Sequence, residues 1–411
     1  MHRTLWNTLA AAALVGLAGL SGCNKAADEG TSSTGGAGGD DAASYTFGVI
    51  AKSQSNPVFQ AARTGAFDAA KAIEEEHGVK VNIRWETPSD EDAQAQAQRI
   101  VARDMIDYRS RGVTRAGLLT LDPKGRVLAM VGGQDFVASN WNLAFQARRQ
   151  AASTAKIATY LAALEAGWGP EAIVMDDPEA IASKFVPRNV DGRYRGRIML
   201  QDCLRESRNV CTLWLAEQVG LEKIAAMASR LGLHDDAVPG SAIVLGAAET
   251  TMPRIAAAYL AISNGGDLHR PHVLRAVLGQ NGKVLYRADD EPDRQVISTV
   301  NAQRMRALLA GVTADGGTGD AAQFKGGRAY GKTGTSQENR DAWFAGFTDL
   351  GIVTTVWTGP DEGKLMRHVG GGQLPAEIFA DFNVNLVERF EGYIRRQPED
   401  AASFWRDVNV P

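Results

Sequence analysis

At 411 residues the chain is long for one domain, and two or more are expected. Hydrophobic residues make up 44% and the net charge is −4, so a large core can be buried. No dense basic run stands out, which argues against a nucleic-acid partner. The six histidines lack metal-ligand spacing, and no cofactor is expected.

The chain opens on a targeting segment. Arg3 supplies a positive start, and Leu9 to Leu20 is an apolar run too short to span a membrane but suited to a signal-peptide core. It ends in Leu20-Ser21-Gly22-Cys23. These residues resemble a bacterial lipobox, in which cleavage precedes the cysteine and the cysteine is lipidated. The plainer reading is a secretory signal that happens to hold a Cys. The small residues before Cys23 favour the lipobox and a membrane anchor there. Residues 1–22 are thus expected to be a lipoprotein signal. Residues 23–44, rich in Gly, Ser, Thr and Asp, should form a flexible tether.

From Tyr45 the composition changes. Thr46 to Ala51 reads as a buried strand. Asn56 to Glu75 reads as a helix with Val58, Ala62, Ala66, Ala69 and Ile73 on one stripe. His77-Gly78 ends it, Val79 to Trp85 alternates like a second strand, and Asp90 to Ile100 opens another helix. This is the start of a parallel α/β unit. Gly48 to Ser53, Asn56-Pro57-Val58-Phe59, Gly65-Ala66 and Asp90 to Gln98 resemble the opening of periplasmic sugar-binding proteins of the ribose type. Residues 45–97 are therefore expected to be a partial lobe. Two lobes are needed to close on a sugar, so sugar binding is not carried over.

Residues 98–395 read as the main domain and 396–411 as a tail. Ala116 to Pro123 and Arg126 to Gly133 form two strands joined by the Asp122-Pro123-Lys124-Gly125 turn. Next comes Ala151-Ala152-Ser153-Thr154-Ala155-Lys156, running into Ile157 to Leu164. Ile157, Leu161 and Leu164 share a face, as in a buried amphipathic helix. Residues i and i+3 lie one turn apart, so the Lys156 amine falls within reach of the Ser153 hydroxyl. A serine becomes a good nucleophile when a neighbour takes its proton. Lysine can do so if burial or a helix N-terminus lowers its pKa. Taken alone, the pair also fits a capping Ser with a surface Lys.

Two further motifs follow. Ser207-Arg208-Asn209 lies between a short helix (Gln201 to Arg205) and a longer one beginning near Cys211. It can offer a hydroxyl and an amide to one cavity, or merely cap a helix. Lys332-Thr333-Gly334-Thr335 precedes two strands, Asp341 to Phe347 and Gly351 to Trp357. Gly334 leaves the backbone bare for a ligand, and Lys332 with the two Thr hydroxyls suits a carboxylate; an ordinary edge strand is the alternative. Sheet, helices, then sheet again predict an α+β domain with helices packed on an antiparallel sheet, preceded by the short α/β fragment.

S-x-x-K, S-x-N and K-T-G in this order form the signature of the active-site-serine penicillin-recognising enzymes. Val131 to Phe136, Arg148-Arg149-Gln150, Leu245 to Thr251, Ala258-Tyr259 with Asn264-Gly265-Gly266, and Asn339 to Phe347 narrow it. From about Gln98 to Leu386 the chain resembles the transpeptidase domain of class A penicillin-binding proteins. It departs from the family at Ala151-Ala152, where Pro-Gly is usual, and at Ile157, where Pro is usual. The glycosyltransferase domain that precedes the transpeptidase in class A proteins is expected to be absent, leaving that activity to cell-wall synthesis partners.

The resemblance implies acyl transfer on peptidoglycan stem peptides ending in D-Ala-D-Ala, with β-lactams as inhibitors, in the periplasm. It implies Ser153 as nucleophile, Lys156 as base, and Ser207 as proton relay to the departing amine. Asn209 would bind the donor backbone, Lys332, Thr333 and Thr335 its carboxylate, and the N–H groups of Ser153 and Thr335 would form the oxyanion hole. A serine β-lactamase or D,D-carboxypeptidase shares the three motifs; Glu249 as a water-holding base would favour the lactamase but reads as structural. A lipoprotein-type sugar-binding module with an inactive transpeptidase domain is the alternative from another class. Cys203 and Cys211, either side of Ser207, read as small buried apolar residues or, in an exported protein, as a disulfide.

Overall fold

The computed structural model describes residues 44–50, 57–86, 93–133, 141–274, 276–278, 284–288, 291–336, 338–361 and 364–394. The expected signal, the tether up to residue 43, Cys23 and the expected tail 396–411 lie outside them. The chain forms two compact units. Among the described residues, one holds 44–86 together with 274, 276–278 and 284–288, and the other holds the rest, from Ala93 onward.

In the first unit β1 (Ser44–Ile50) pairs in parallel with β2 (Lys80–Glu86), Tyr45 opposite Val81. A parallel pair needs a crossover, and α1 (Pro57–His77) supplies it. Gly78 ends the helix at φ +63°, its N–H donating to Glu74 O at 3.0 Å. An antiparallel pair, 276–278 with 284–287, belongs to the same unit.

The second unit starts with α2 (Ala93–Tyr108). The expected boundary at residue 97 falls inside this unbroken helix. Ala97, Ile100, Val101 and Met105 are buried. The Gln94 side chain exchanges two hydrogen bonds with the Met130 main chain, 2.9 and 2.7 Å. The division therefore lies ahead of Ala93, not at residue 97.

The sheet combines β3 (Arg115–Leu121), β4 (Val127–Val131), β5 (Ala329–Thr335), β6 (Ala342–Thr348) and β7 (Val353–Gly359) in the antiparallel order β5-β6-β7-β3-β4. Its strands are buried on both faces, which explains their near-continuous apolar runs. Leu118, Val131, Phe344 and Val356 pack in one cluster with Met105 of α2 and with Phe379 and Phe382 of α9 (Leu374–Ile394). Leu119, Met130, Trp343, Phe347 and Trp357 pack in the other. That cluster also holds residues of α3 (Ile157–Glu165), α4 (Leu200–Arg205), α5 (Asn209–Val219), α6 (Leu221–Arg230), α7 (Met252–Ser263) and α8 (Thr299–Thr313). The result is the predicted α+β architecture, with helices on both faces and β5 at an open edge.

Candidate active site

The segment ahead of Ser153 is pinned on three sides. Arg149-Gln150 pairs with Glu249-Thr250, and Ala152 N–H donates to Gly246 O at 2.8 Å. Trp343 Nε1 donates to Gln150 O at 2.9 Å. A side chain at Gly246, itself at φ +72°, would sit 1.9 Å from Ala152 O, so only glycine allows this approach. Ala152 is held at φ +48°, in the left-handed region that a non-glycine residue enters at a cost.

Ser153 does not sit on an α-helix as expected. Ala152–Lys156 is a 3₁₀ helix that passes into α3 at Ile157. In a 3₁₀ helix residues i and i+3 eclipse, which aligns Ser153 with Lys156 more closely than an α-turn would. Ser153 is half-buried on the cleft wall; Lys156 is fully buried beneath it. Lys156 Nζ donates to Ser207 O (2.7 Å), Asn209 Oδ1 (2.8 Å) and Arg208 O (3.1 Å). Burial, reinforced by the charge of Lys332, holds the Lys156 amine well below its ordinary pKa, and Asp176 opposes this weakly.

Ser207 lies between α4 and α5 at φ +56°. Its Oγ accepts from Lys332 Nζ at 2.7 Å. Lys332 is also fully buried, and it donates to Thr333 O (3.0 Å) and Thr333 Oγ1 (3.2 Å). Burial lowers its pKa to about 7. Lys332 thus serves Ser207 from below rather than reaching into the cleft. Asn209 is likewise engaged within the protein. Its Oδ1 takes Lys156 and its Nδ2 donates to Arg188 O at 2.8 Å.

Thr333 Oγ1 donates to Thr318 Oγ1 at 2.9 Å, and Thr335 Oγ1 accepts from Gly371 N–H at 3.1 Å. Both threonines line the cleft. Gly334 has a different reason from the one expected. A Cβ there would meet Thr154 Cγ2 at 3.0 Å and Ala151 O at 3.1 Å, so its bare face admits the serine-bearing turn. The cleft encloses about 890 Å³ and brings Ser153, Ser207, Asn209, Thr333 and Thr335 together. Glu249 is exposed at its rim. Among the described residues no His, Cys, Asp or Glu group fits a metal ion.

Sequence reasoning missed the support around Ser207. Arg208, the middle residue of S-x-N, is buried. It donates to Asp176 Oδ2 (2.9 Å), Glu206 Oε2 (2.6 Å) and Asp191 Oδ2 (3.1 Å). Asn189, also buried, accepts from Asn209 N–H at 2.8 Å and donates to Asp176 Oδ1 at 2.8 Å. Asp176 and Asn189 are distant in sequence and carry no local pattern that could have flagged them. Cys203 and Cys211 are bonded, with Cα atoms 6.2 Å apart. The plainer reading of two unpaired apolar residues is thereby corrected: the turn around Ser207 folds both back within bonding reach.

The fold and this grouping of a serine with two buried lysines place the chain among the active-site-serine proteins. Within them it belongs to the penicillin-binding protein transpeptidase domain family, matched over residues 116–382. It is 35% identical over 321 residues to penicillin-binding protein 1A of Rickettsia bellii, covering 70% of this chain and 40% of that protein. The protein of the same name from Neisseria meningitidis is 33% identical over 304 residues, with 70% and 38% covered. Among solved structures, the penicillin-binding protein PonA1 from Mycobacterium tuberculosis aligns with a TM-score of 0.62 at 27% identity, covering 72% of this chain and 85% of that one. PonA1 in complex with penicillin V aligns equally well, with a TM-score of 0.62 at 26% identity over 72% and 83% of the two chains. The chain spans about 40% of the length of the curated relatives it matches.

Proposed function

We propose that the chain is a D,D-transpeptidase that cross-links peptidoglycan stem peptides through an acyl-Ser153 intermediate and is inhibited by β-lactams. The observation that carries this is Ser153, open to the cleft and one 3₁₀ turn before a lysine whose burial favours the neutral amine. Ser153 Oγ attacks the carbonyl carbon between the two D-Ala residues while Lys156 Nζ takes its proton. Developing charge on the carbonyl oxygen meets the N–H groups of Ser153 and Thr335. The C–N bond breaks as Ser207 Oγ gives a proton to the departing D-Ala amine, and Lys332, hydrogen-bonded to that oxygen, resupplies it. The amine of a second stem peptide then attacks the ester carbonyl carbon and gives its proton to Ser207 Oγ, which recharges Lys332, while the C–O bond to Ser153 breaks and the proton held by Lys156 returns to Ser153 Oγ. The Thr333 and Thr335 hydroxyls meet the donor carboxylate, with the Lys332 charge behind them, and Gly334 gives the turn its close seat. Asn209 acts by fixing Lys156.

The site of action is outside the cytoplasm, which the Cys203–Cys211 bond supports, with Cys23 as the lipid anchor. Incubating the full chain with a fluorescent penicillin, beside Ser153→Ala, tests the proposal. Label that persists for hours on the wild type and is absent from the variant is the expected result. Label that decays within minutes indicates hydrolysis, as in a β-lactamase. No label on folded protein removes the serine mechanism.

A further inference from the structure

The nine positions from Cys203 to Cys211 carry most of what touches the two lysines. Ser207 supplies its Oγ to Lys332, and the Ser207 and Arg208 carbonyls together with Asn209 Oδ1 surround Lys156 Nζ. These contacts depend on a tight reversal of the chain. Ser207 N–H donates to Leu204 O and Arg208 N–H to Cys203 O, both at 3.0 Å, with Ser207 in the left-handed region. A residue other than glycine keeps that conformation only where its surroundings impose it. On one side the surroundings are the Arg208 ion pairs. From the interior they are the disulfide, both of whose cysteines are fully buried. Beside it Thr212 Oγ1 donates to Arg208 O at 2.6 Å, the same carbonyl that Lys156 uses.

We infer that the Cys203–Cys211 bond is a positioning element of the active site. By tying the end of α4 to the first turn of α5, it holds the Ser207 hydroxyl on Lys332 and the two carbonyls on Lys156. The inference rests on the proposed serine mechanism. The bond touches no substrate; it acts through Ser207 and Lys156. Without it, the reversal is held by its two main-chain hydrogen bonds, Thr212 and the Arg208 ion pairs, and has a wider set of conformations to visit. A misplacement of about 1 Å at such a site costs on the order of a hundred-fold in rate. A loosened turn also lets water reach Lys156. The groups facing Lys156 are Lys332 on β5, Asp176, the Ser207 and Arg208 carbonyls and Asn209 Oδ1. Burial is the largest cause of its lowered pKa, so admitting water raises that pKa and moves the acid limb of acylation to higher pH.

The test uses the full chain carrying Cys23→Ser, so that two cysteines remain. It is prepared as the dithiol, then reoxidised with oxidised glutathione, and penicillin acylation of Ser153 is followed against pH in both states. The dithiol changes no residue, so the comparison isolates the bond. We expect acylation in the dithiol to be slower by about ten- to a hundred-fold, with little change in half-saturating penicillin. Its acid limb should lie at higher pH, and both effects should revert as thiols are lost. Equal rates and superimposable pH profiles in two folded states overturn the inference while leaving the serine mechanism intact. Failure of the oxidised form to acylate removes the mechanism itself. Should the dithiol not fold, Cys203→Ala/Cys211→Ala takes the same measurements. Loss of fold there as well assigns the bond to stability alone and overturns the inference.

Discussion

Lys332 is a charged residue stored where charge is disfavoured. Its folded-state pKa of about 7 lies below the ordinary value of 10.5. Between those values the unfolded chain binds more protons, so this group's contribution to stability rises with pH from about 7 to about 10.5; below pH 7 the full penalty applies. Lys332→Met removes it. The stability of the variant relative to wild type should therefore improve as pH falls from 10 to 7, by up to about 1.4 kcal/mol per pH unit, in chemical denaturation at each pH. A flat difference would show that Lys332 stays charged when buried. Penicillin labelling of the variant should fall as Ser207 loses its partner. At this scale the sequence disclosed Ser153 and Lys156, because their relation is local and follows from spacing alone. It did not disclose that Asn209 and Lys332 turn inward. Which acceptor a buried amine meets depends on elements more than a hundred residues apart in the case of Lys332 and Ser207.

The element that organises the site is the reversal between α4 and α5. Arg208 anchors it on Asp176, which is fully buried and also receives Asn189 Nδ2 and Arg195 N–H. Removing one partner of a buried ion pair strands the other and typically costs 3–5 kcal/mol. Arg208 retains Asp191 and Glu206, so Asp176→Ala should destabilise by about 3 kcal/mol, at the low end of that range, in a denaturant titration. A loss below about 0.5 kcal/mol, as for an ordinary surface change, would show that Asp191 and Glu206 suffice. Most elements were legible as patterns of period two or 3.6. The 3₁₀ turn at Ser153 was not, since its apolar spacing is that of the helix it joins. The Cys pairing was not either, because sequence separation alone does not say whether a turn brings two side chains back together.

Across the molecule, the sheet is covered on both faces, and α2 is part of that cover. Its buried residues share a cluster with Phe344, Phe379 and Phe382. A chain begun at residue 91 should fold and label with penicillin as the full chain does, whereas one begun at residue 110 should be recovered unfolded. Labelling of the shorter chain would show that α2 is dispensable. The antiparallel sheet with packed helices was readable because each strand carries its own signal and the motifs lie at its ends. The boundary was less so. The helix from Ala93 to Tyr108 continues the strand–helix–strand rhythm before it, and only its packing against β4 shows where it belongs.

Trp343 stands opposite Gly334 in the ladder, and its indole N–H is bonded to the main chain three residues before Ser153. It is 2% exposed and lies 6.4 Å from Trp357. Indole emission follows the polarity and hydrogen bonding of that N–H. The protein thus carries an optical reporter bonded to the segment that leads into Ser153. Subtracting the spectrum of a Trp343→Phe chain isolates its signal from the other tryptophans, so a change at this segment on adding penicillin can be followed without a label.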